Sequence, residues 1–197
     1  MKVIDILNNT DKPVFSFELV PPLKGGDINK IYEAIEPLIA LAPPFINITF
    51  HRDEVVYREY PDGTIKKVTV TKRPGSVALA AAIMRRYNVD MVPHIVCGGA
   101  TRHKIENELI DLNFLDIENV MALRGDPIPG ERFFTPEEGG HRYSCELVEQ
   151  ITRMNHGQYL DDTLTDTVPT NFCIGVAGYP EKHYEAPNQA CDIENLK

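Results

Sequence analysis

A chain of 197 residues with 43% apolar content is long enough to bury a real core, and its length asks for no second domain. Its 20 Lys and Arg against 29 Asp and Glu leave a formal charge of -9, which repels phosphate backbones and anionic lipid surfaces and argues against nucleic acid and membranes as partners. It has no apolar run of about 18 residues, and Met1 to Asn9 lacks the basic start, apolar stretch and small-residue site of a leader, so a soluble cytoplasmic protein is expected.

Strand-like apolar runs alternate with segments of helical period along the whole chain. Val14 to Val20 is the first such run, rich in β-branched and aromatic residues and too short for a free helix. Asp27 then stands as an N-cap before Ile28, Ile31, Ile35, Leu38 and Ile39, which share one helical face, and Pro37 is expected to kink that helix. Phe45 to Phe50 is the second strand. Beyond it, V-V-Y-R-E-Y and T-I-K-K-V-T-V alternate about Asp62-Gly63, so residues 54–73 are expected to form a β-hairpin insertion, either a flap or a solvated ornament.

Ser76 is expected to cap a helix carrying Val77, Ala80, Ile83, Met84 and Tyr87, and Asp90 to Cys97 is the third strand. Thr101 caps a helix bearing Ile105, Leu109 and Leu112, followed by the strand Glu118 to Arg124. Residues 127–143, rich in Gly and Pro and holding Phe133 and Phe134, form a lid or a long crossing loop. Ser144 then precedes Leu147, Val148, Ile151 and Met154, and Phe172 to Tyr179 is the fifth strand. The segment 157–171 comes before that strand, on the opposite rim, and is assigned no function. Strand followed by helix, about five times over, is the unit of a (β/α)8 TIM-type barrel that stops before closure, one partial barrel domain over 1–197.

A strand buried on both faces should be apolar, so polar residues at C-terminal strand ends call for an explanation. All five strands have one: Glu18, Thr49, His94, the Arg124-Gly125-Asp126 run, and Tyr179 with Glu181 and His183 just beyond. Barrel active sites sit on that face. Glu18, between Phe17 and Leu19, is expected to be desolvated and so to hold a proton near neutral pH; the plainer reading is a carboxylate paired with Arg124. Asp126 suits a strand-end turn or a charge beside a cofactor ring, and Tyr179 and His183 suit packing or stacking on a planar ligand. His94 and Cys97 are too few to make a metal site. Cys97, Cys145, Cys173 and Cys191 contain no C-x-x-C pair and are read as reduced thiols.

Six strings carry a more specific resemblance: F-S-F-E-L-V-P-P (15–22), I-N-I-T-F (46–50), V-P-H-I-V-C (92–97), A-L-R-G-D (122–126), Y-P-E-K-H-Y-E-A (179–186) and D-I-E-N-L-K (192–197). In this order they resemble the motifs of flavin-dependent methylenetetrahydrofolate reductases of bacterial type. The resemblance implies FAD at the C-terminal strand ends of a (β/α)8 barrel. It also implies a ping-pong reaction in which NADH or NADPH reduces the flavin, and the flavin reduces 5,10-methylenetetrahydrofolate to 5-methyltetrahydrofolate. Carried over by position, Glu18 resembles the general acid and Asp126 the carboxylate near the flavin pyrimidine edge. Thr49, His94, Leu123, Arg124, Gly125, Asp126, Tyr179, His183, Asp192 and Asn195 match FAD contacts. A homo-oligomer is expected, and no metal. Three further family strands would follow Lys197, and the basic pair expected after Leu196 is reduced here to Lys197. The competing expectation is a non-catalytic fragment that folds by oligomerisation or beside a partner, covering open strand edges. The family assigns no role to residues 54–73.

Overall fold

The computed structural model describes residues 1–128, 130–179 and 181–196; Pro129 in the 127–143 loop, Pro180 in the 179–186 string and Lys197 lie outside the described residues. In chain order the elements are α1 (Val3–Asn8), β1 (Phe17–Leu19), α2 (Ile28–Ile39), β2 (Phe45–Ile48), β3 (Glu54–Glu59), β4 (Ile65–Val70) and α3 (Ser76–Tyr87). They continue with β5 (Asp90–Val96), α4 (Arg102–Phe114), β6 (Asn119–Leu123), α5 (Ser144–Asn155), β7 (Cys173–Val176) and α6 (Gln189–Leu196). Strands β1, β2, β5, β6 and β7 form one parallel sheet in that order, with α2, α3, α4 and α5 as the crossovers. This is a partial (β/α) barrel of five units, with β1 and β7 as its edges.

The two faces of the sheet separate by the period-2 alternation of strands. Ile46, Ile48, Met91, Ile95, Val120 and Ala122 point to the helices and are buried there with Ile35, Ile83, Leu109, Leu147 and Ile151. Each of these side chains other than Ala122 contributes about 1.5–3 kcal/mol by leaving water. The other face carries Glu18, Asn47, Thr49, Val92, His94, Met121 and Leu123. Glu18 stands in register with Asn47, Asn47 with Val92, and His94 with Met121.

Caps follow the sequence in two places and depart from it in two. Asp27 accepts from the Asn29 N–H, and Thr101 from the Lys104 N–H at 3.2 Å. Ser76, by contrast, is the first helical residue, buried, with Gly75 as the cap; at α5 the cap position is Tyr143 rather than Ser144. There the Glu146 carboxylate, at the third helical position, reaches back to accept the N–H groups of Arg142 (2.7 Å) and Tyr143 (3.3 Å), the reciprocal arm of a capping box.

The outer strands are shorter than their apolar runs: β1 holds only three residues and β7 ends at Val176. An edge strand has one neighbour to pair with, so its ladder frays where that neighbour stops. Helix α1, not foreseen, closes the N-terminal rim. The Met1 amine lies 2.7 Å from Asp90, and buried Asn119 takes the Val3 N–H (2.8 Å) and donates to the Met1 carbonyl (2.9 Å). Residues 54–70 form a two-stranded antiparallel ribbon with Gly63 at φ +79 in its turn.

Candidate active site

Glu18 and His94 meet on the face away from the helices. Glu18 keeps 57% of its side chain exposed, so the expected desolvation is not present. The reason lies in strand geometry, because Phe17 and Leu19 point to the opposite face and β1 has no outer neighbour to cover the carboxylate. Nor does Glu18 pair with Arg124. Its Oε2 lies 3.6 Å from His94 Nε2, beyond hydrogen-bond length, and that nitrogen is buried without a hydrogen-bond partner. Burial lowers the His94 pKa below 6.5, and the Glu18 charge only partly offsets this, so the imidazole is neutral at neutral pH. Beside them, the Thr49 N–H donates to the Leu19 carbonyl at 3.0 Å, and its hydroxyl lies 3.2 Å from His51 Nε2.

The ends of β5 and β6 run on together: Cys97 N–H donates to Leu123 O (3.0 Å) and Gly98 N–H to Arg124 O (3.1 Å). Gly125 has φ +87, and a Cβ there would lie 2.7 Å from the Val96 Cγ1, so only glycine fits. A Cβ on Gly98 would touch Phe134 and Arg52, which close this corner from the 127–143 loop and from the root of the ribbon. Leu123 lies on the same face as His94. Asp126, one residue past the glycine, is exposed.

Arg124 donates to both carboxylate oxygens of Glu185, at 2.6 and 3.0 Å, and lies 5.3 Å from the centre of the Phe134 ring. The Tyr184 hydroxyl donates to Glu185 at 2.5 Å. Chiefly through the Arg124 hydrogen bonds, the Glu185 carboxyl is pulled down to about 2, and the guanidinium is pushed up in turn.

Tyr179 lies three residues past β7, half-exposed, with its ring edge against His183 at 4.8 Å. The backbone of His183 is held by Asp192, whose Oδ2 accepts its N–H at 2.7 Å, and His183 Nδ1 accepts from the Glu185 N–H at 3.2 Å. Lys182 donates to the carbonyls of His183 and Ala186, curling 182–186 into a tight strap. Asn195 is an exposed residue of α6.

Thus the strand ends gather Glu18, Thr49, His94, Leu123, Arg124 and Gly125 on the sheet, with Asp126 exposed just beyond it. Tyr179, His183 and Asp192 form a second group tied to the first through Glu185 and Arg124. Cys97 points the opposite way from His94, and burial raises its thiol to about 12, so the two do not converge. Among the described residues no three His, Cys, Asp or Glu side chains stand together as a metal site. Sequence reading missed Asn47, Arg52 and Glu185. Asn47 carried a signal, as a polar residue at the centre of the I-N-I run; the other two are exposed-looking charges whose partners are distant in sequence.

Comparison with known proteins adds an independent line. The family model described as methylenetetrahydrofolate reductase matches residues 2–197. The chain is 30% identical over 203 residues to methylenetetrahydrofolate reductase 1 of Schizosaccharomyces pombe, covering 100% of this chain and 28% of that protein. It is 29% identical over 186 residues to methylenetetrahydrofolate reductase (NADH) 1 of Arabidopsis thaliana, covering 93% of this chain and 26% of that one. With 5,10-methylenetetrahydrofolate reductase of Pectobacterium carotovorum the identity is 26% over 184 residues, 92% of this chain and 49% of the relative. The chain therefore spans between about a quarter and a half of the length of these relatives.

Proposed function

The chain belongs to the methylenetetrahydrofolate reductase family, and from that premise we propose that its strand ends form an FAD site serving the reduction of 5,10-methylenetetrahydrofolate to 5-methyltetrahydrofolate. The hydride donor in this reading is NADH or NADPH. The observation that carries the proposal is the buried, unpartnered Nε2 of His94 beside the Glu18 carboxylate, at the C-terminal end of a parallel sheet. A planar cofactor also suits Tyr179, which presents a half-exposed ring beyond β7.

In this reading Thr49, His94, Leu123, Arg124, Gly125, Asp126, Tyr179, His183, Asp192 and Asn195 hold the cofactor. When bound, FAD supplies the hydride relay between nicotinamide and folate. Glu18 donates a proton to the folate nitrogen that leaves as the five-membered ring opens, and a planar ligand laid over it supplies the desolvation that the unliganded chain lacks. Asp126 places a negative charge beside the cofactor, favouring the cationic iminium of the opened substrate. Neutral His94 offers Nε2 as a donor or acceptor without bringing a positive charge.

The wider reading follows the same premise: a barrel domain over 1–197 with the 54–73 hairpin as an insertion, in a cytoplasmic homo-oligomer of bacterial type. Among the described residues no helix is long and apolar enough to cross a membrane.

Titration of the purified chain with FAD, followed by flavin fluorescence and compared with FMN, tests the reading. Saturable, FAD-selective binding is expected. A chain folded by circular dichroism that binds neither flavin overturns it, as does a Glu18→Gln variant that reduces the folate substrate at the unchanged rate.

A further inference from the structure

Away from the strand ends, in the helical layer between α4 and α5, lies a cavity of about 220 Å3 walled on its outer side by residues 158–160. The segment 157–171 leaves the N-terminal rim at the end of α5, climbs to the second turn of α4, where the Leu160 N–H donates to Glu106 Oε2 at 2.7 Å, and returns to Asn155.

Charges of both signs line this cavity and neutralise one another only in part: the Glu146 carboxyl is held down chiefly by the Arg142 N–H, and to a smaller degree by the charges of His141 and Arg102. Arg102 and Glu106 are four residues apart on α4, and Glu149 and Arg153 four apart on α5, spacings at which helices close ion pairs. Among the described residues, none of these four has an ion-pair partner within 4.0 Å, and all four line the cavity. Glu106 is only 8% exposed, so its carboxylate is buried with a single backbone N–H to satisfy it. Leaving a buried carboxylate without a cation is costly.

The wall of the cavity adds a second unsatisfied group. Gln150 Nε2 donates to the Arg102 carbonyl at 3.0 Å, so its Oε1 is the acceptor facing His141 Nε2 at 2.5 Å. His141 Nδ1, on a residue 3% exposed, is left without a hydrogen-bond partner, 3.8 Å from Glu146 Oε2.

We propose that this cavity binds a small zwitterion of the free α-amino acid class, its ammonium held by Glu106 and Glu149 and its carboxylate by Arg102 and Arg153. Charges of both signs around one space, with Glu106 buried and Arg102, Glu149 and Arg153 at its exposed rim, are complementary to a ligand that carries both. The volume excludes drug-sized ligands, which need about 300–1,000 Å3. The site is joined to the strand ends by covalent and hydrogen-bonded neighbours. Arg102 N–H donates to Gly139 O at 3.1 Å, and His141 belongs to the 127–143 loop whose Phe134 lies against Arg124. This inference does not depend on the flavin reading.

The test is ligand-observed NMR on the full chain with each of the twenty L-α-amino acids, and with propionate and ethylammonium as the two halves of the zwitterion. Saturable binding of at least one amino acid is expected, with neither half binding, and with a tenfold or greater loss of affinity in both Glu106→Gln and Arg153→Met. Arg153 is exposed, so that variant decides the matter if Glu106→Gln fails to fold by circular dichroism. Absence of saturable binding by all twenty, equal binding by a half, or affinity undiminished in Arg153→Met overturns the proposal.

Discussion

His94 Nε2 and Glu18 Oε2 approach to 3.6 Å although their strands, β5 and β1, are not neighbours: β2 runs between them, and the two side chains reach across it past Asn47. Two strand spacings amount to about 9.5 Å, so only long side chains pointing to the same face can meet in this way. The Glu18 charge raises the His94 pKa against the stronger effect of burial. Replacing Glu18 with Gln should therefore lower the His94 pKa further below 6.5, read from imidazole shifts in an NMR titration. An unchanged or raised value would show that the two groups do not sense each other.

The same residue sets a stability window. The folded pKa of His94 is below its unfolded value of 6.5, so the folded chain binds that proton less readily. Its stability contribution is full above 6.5 and declines as pH falls towards the folded pKa. His94→Asn should flatten the urea midpoint across that range. A wild-type midpoint that is already flat there would contradict the assignment.

Arg124 and Glu185 give a window at lower pH. With its folded pKa near 2 against an ordinary 4.5, Glu185 contributes stability that is present above 4.5 and lost as pH falls towards 2. The pair lies near the surface, where solvent screens it, and Glu185→Gln is expected to cost about 1 kcal/mol at pH 7. Denaturant melts of the variant and wild type should converge at pH 2 to 3, where the wild-type carboxylate is also being neutralised. A difference that persists there would point to packing by the strap rather than charge.

The fold was legible because hydrophobic period and helix crossovers are local signals: apolar residues recur at helical spacing from Ile28 to Ile39 and from Ile105 to Leu112, and they bring Ile35, Ile105, Leu109 and Leu112 into the core. The strand-end polar residues were legible for a related reason, since a polar residue ending an apolar strand is rare without a cause. Environment was harder to read. Glu18 looked desolvated because its chain neighbours are Phe17 and Leu19, yet burial is set by cross-strand neighbours, and at an edge strand one side has none. The partner of Arg124 lies 61 residues away, a pairing that no local spacing encodes. Helix α1, six residues long and without a buried side chain, carries a single turn of helical spacing, Val3, Ile6 and Leu7, too short to stand out in the sequence.

Thiol chemistry offers a separate check on the two faces of β5. Cys97 is buried against the helices, with its thiol raised to about 12, whereas Cys145 and Cys191 are exposed. Reaction with a chromogenic disulfide at pH 8 should therefore label Cys145 and Cys191 rapidly and Cys97 only on unfolding, as mapped by peptide mass. Fast labelling of Cys97 in the folded chain would place it on the open face with His94.

Gly125 tests whether the strand-end cradle is as tight as its geometry indicates. At φ +87 a side chain is strained, and the added methyl of Gly125→Ala would meet the Val96 Cγ1 at 2.7 Å. Backbone strain and overpacking together should cost about 1–3 kcal/mol in urea unfolding. To relieve the contact, either Val96 moves or the Arg124-Gly125-Asp126 backbone shifts away from β5, weakening the Gly98 to Arg124 hydrogen bond of 3.1 Å. A second substitution separates these cases. Val96→Ala removes the clashing methyl, so Gly125→Ala placed in that background should cost clearly less than it does alone, a positive coupling between touching positions. Equal costs in both backgrounds would mean that the penalty comes from the φ angle alone, and that Val96 does not set the shape of this corner.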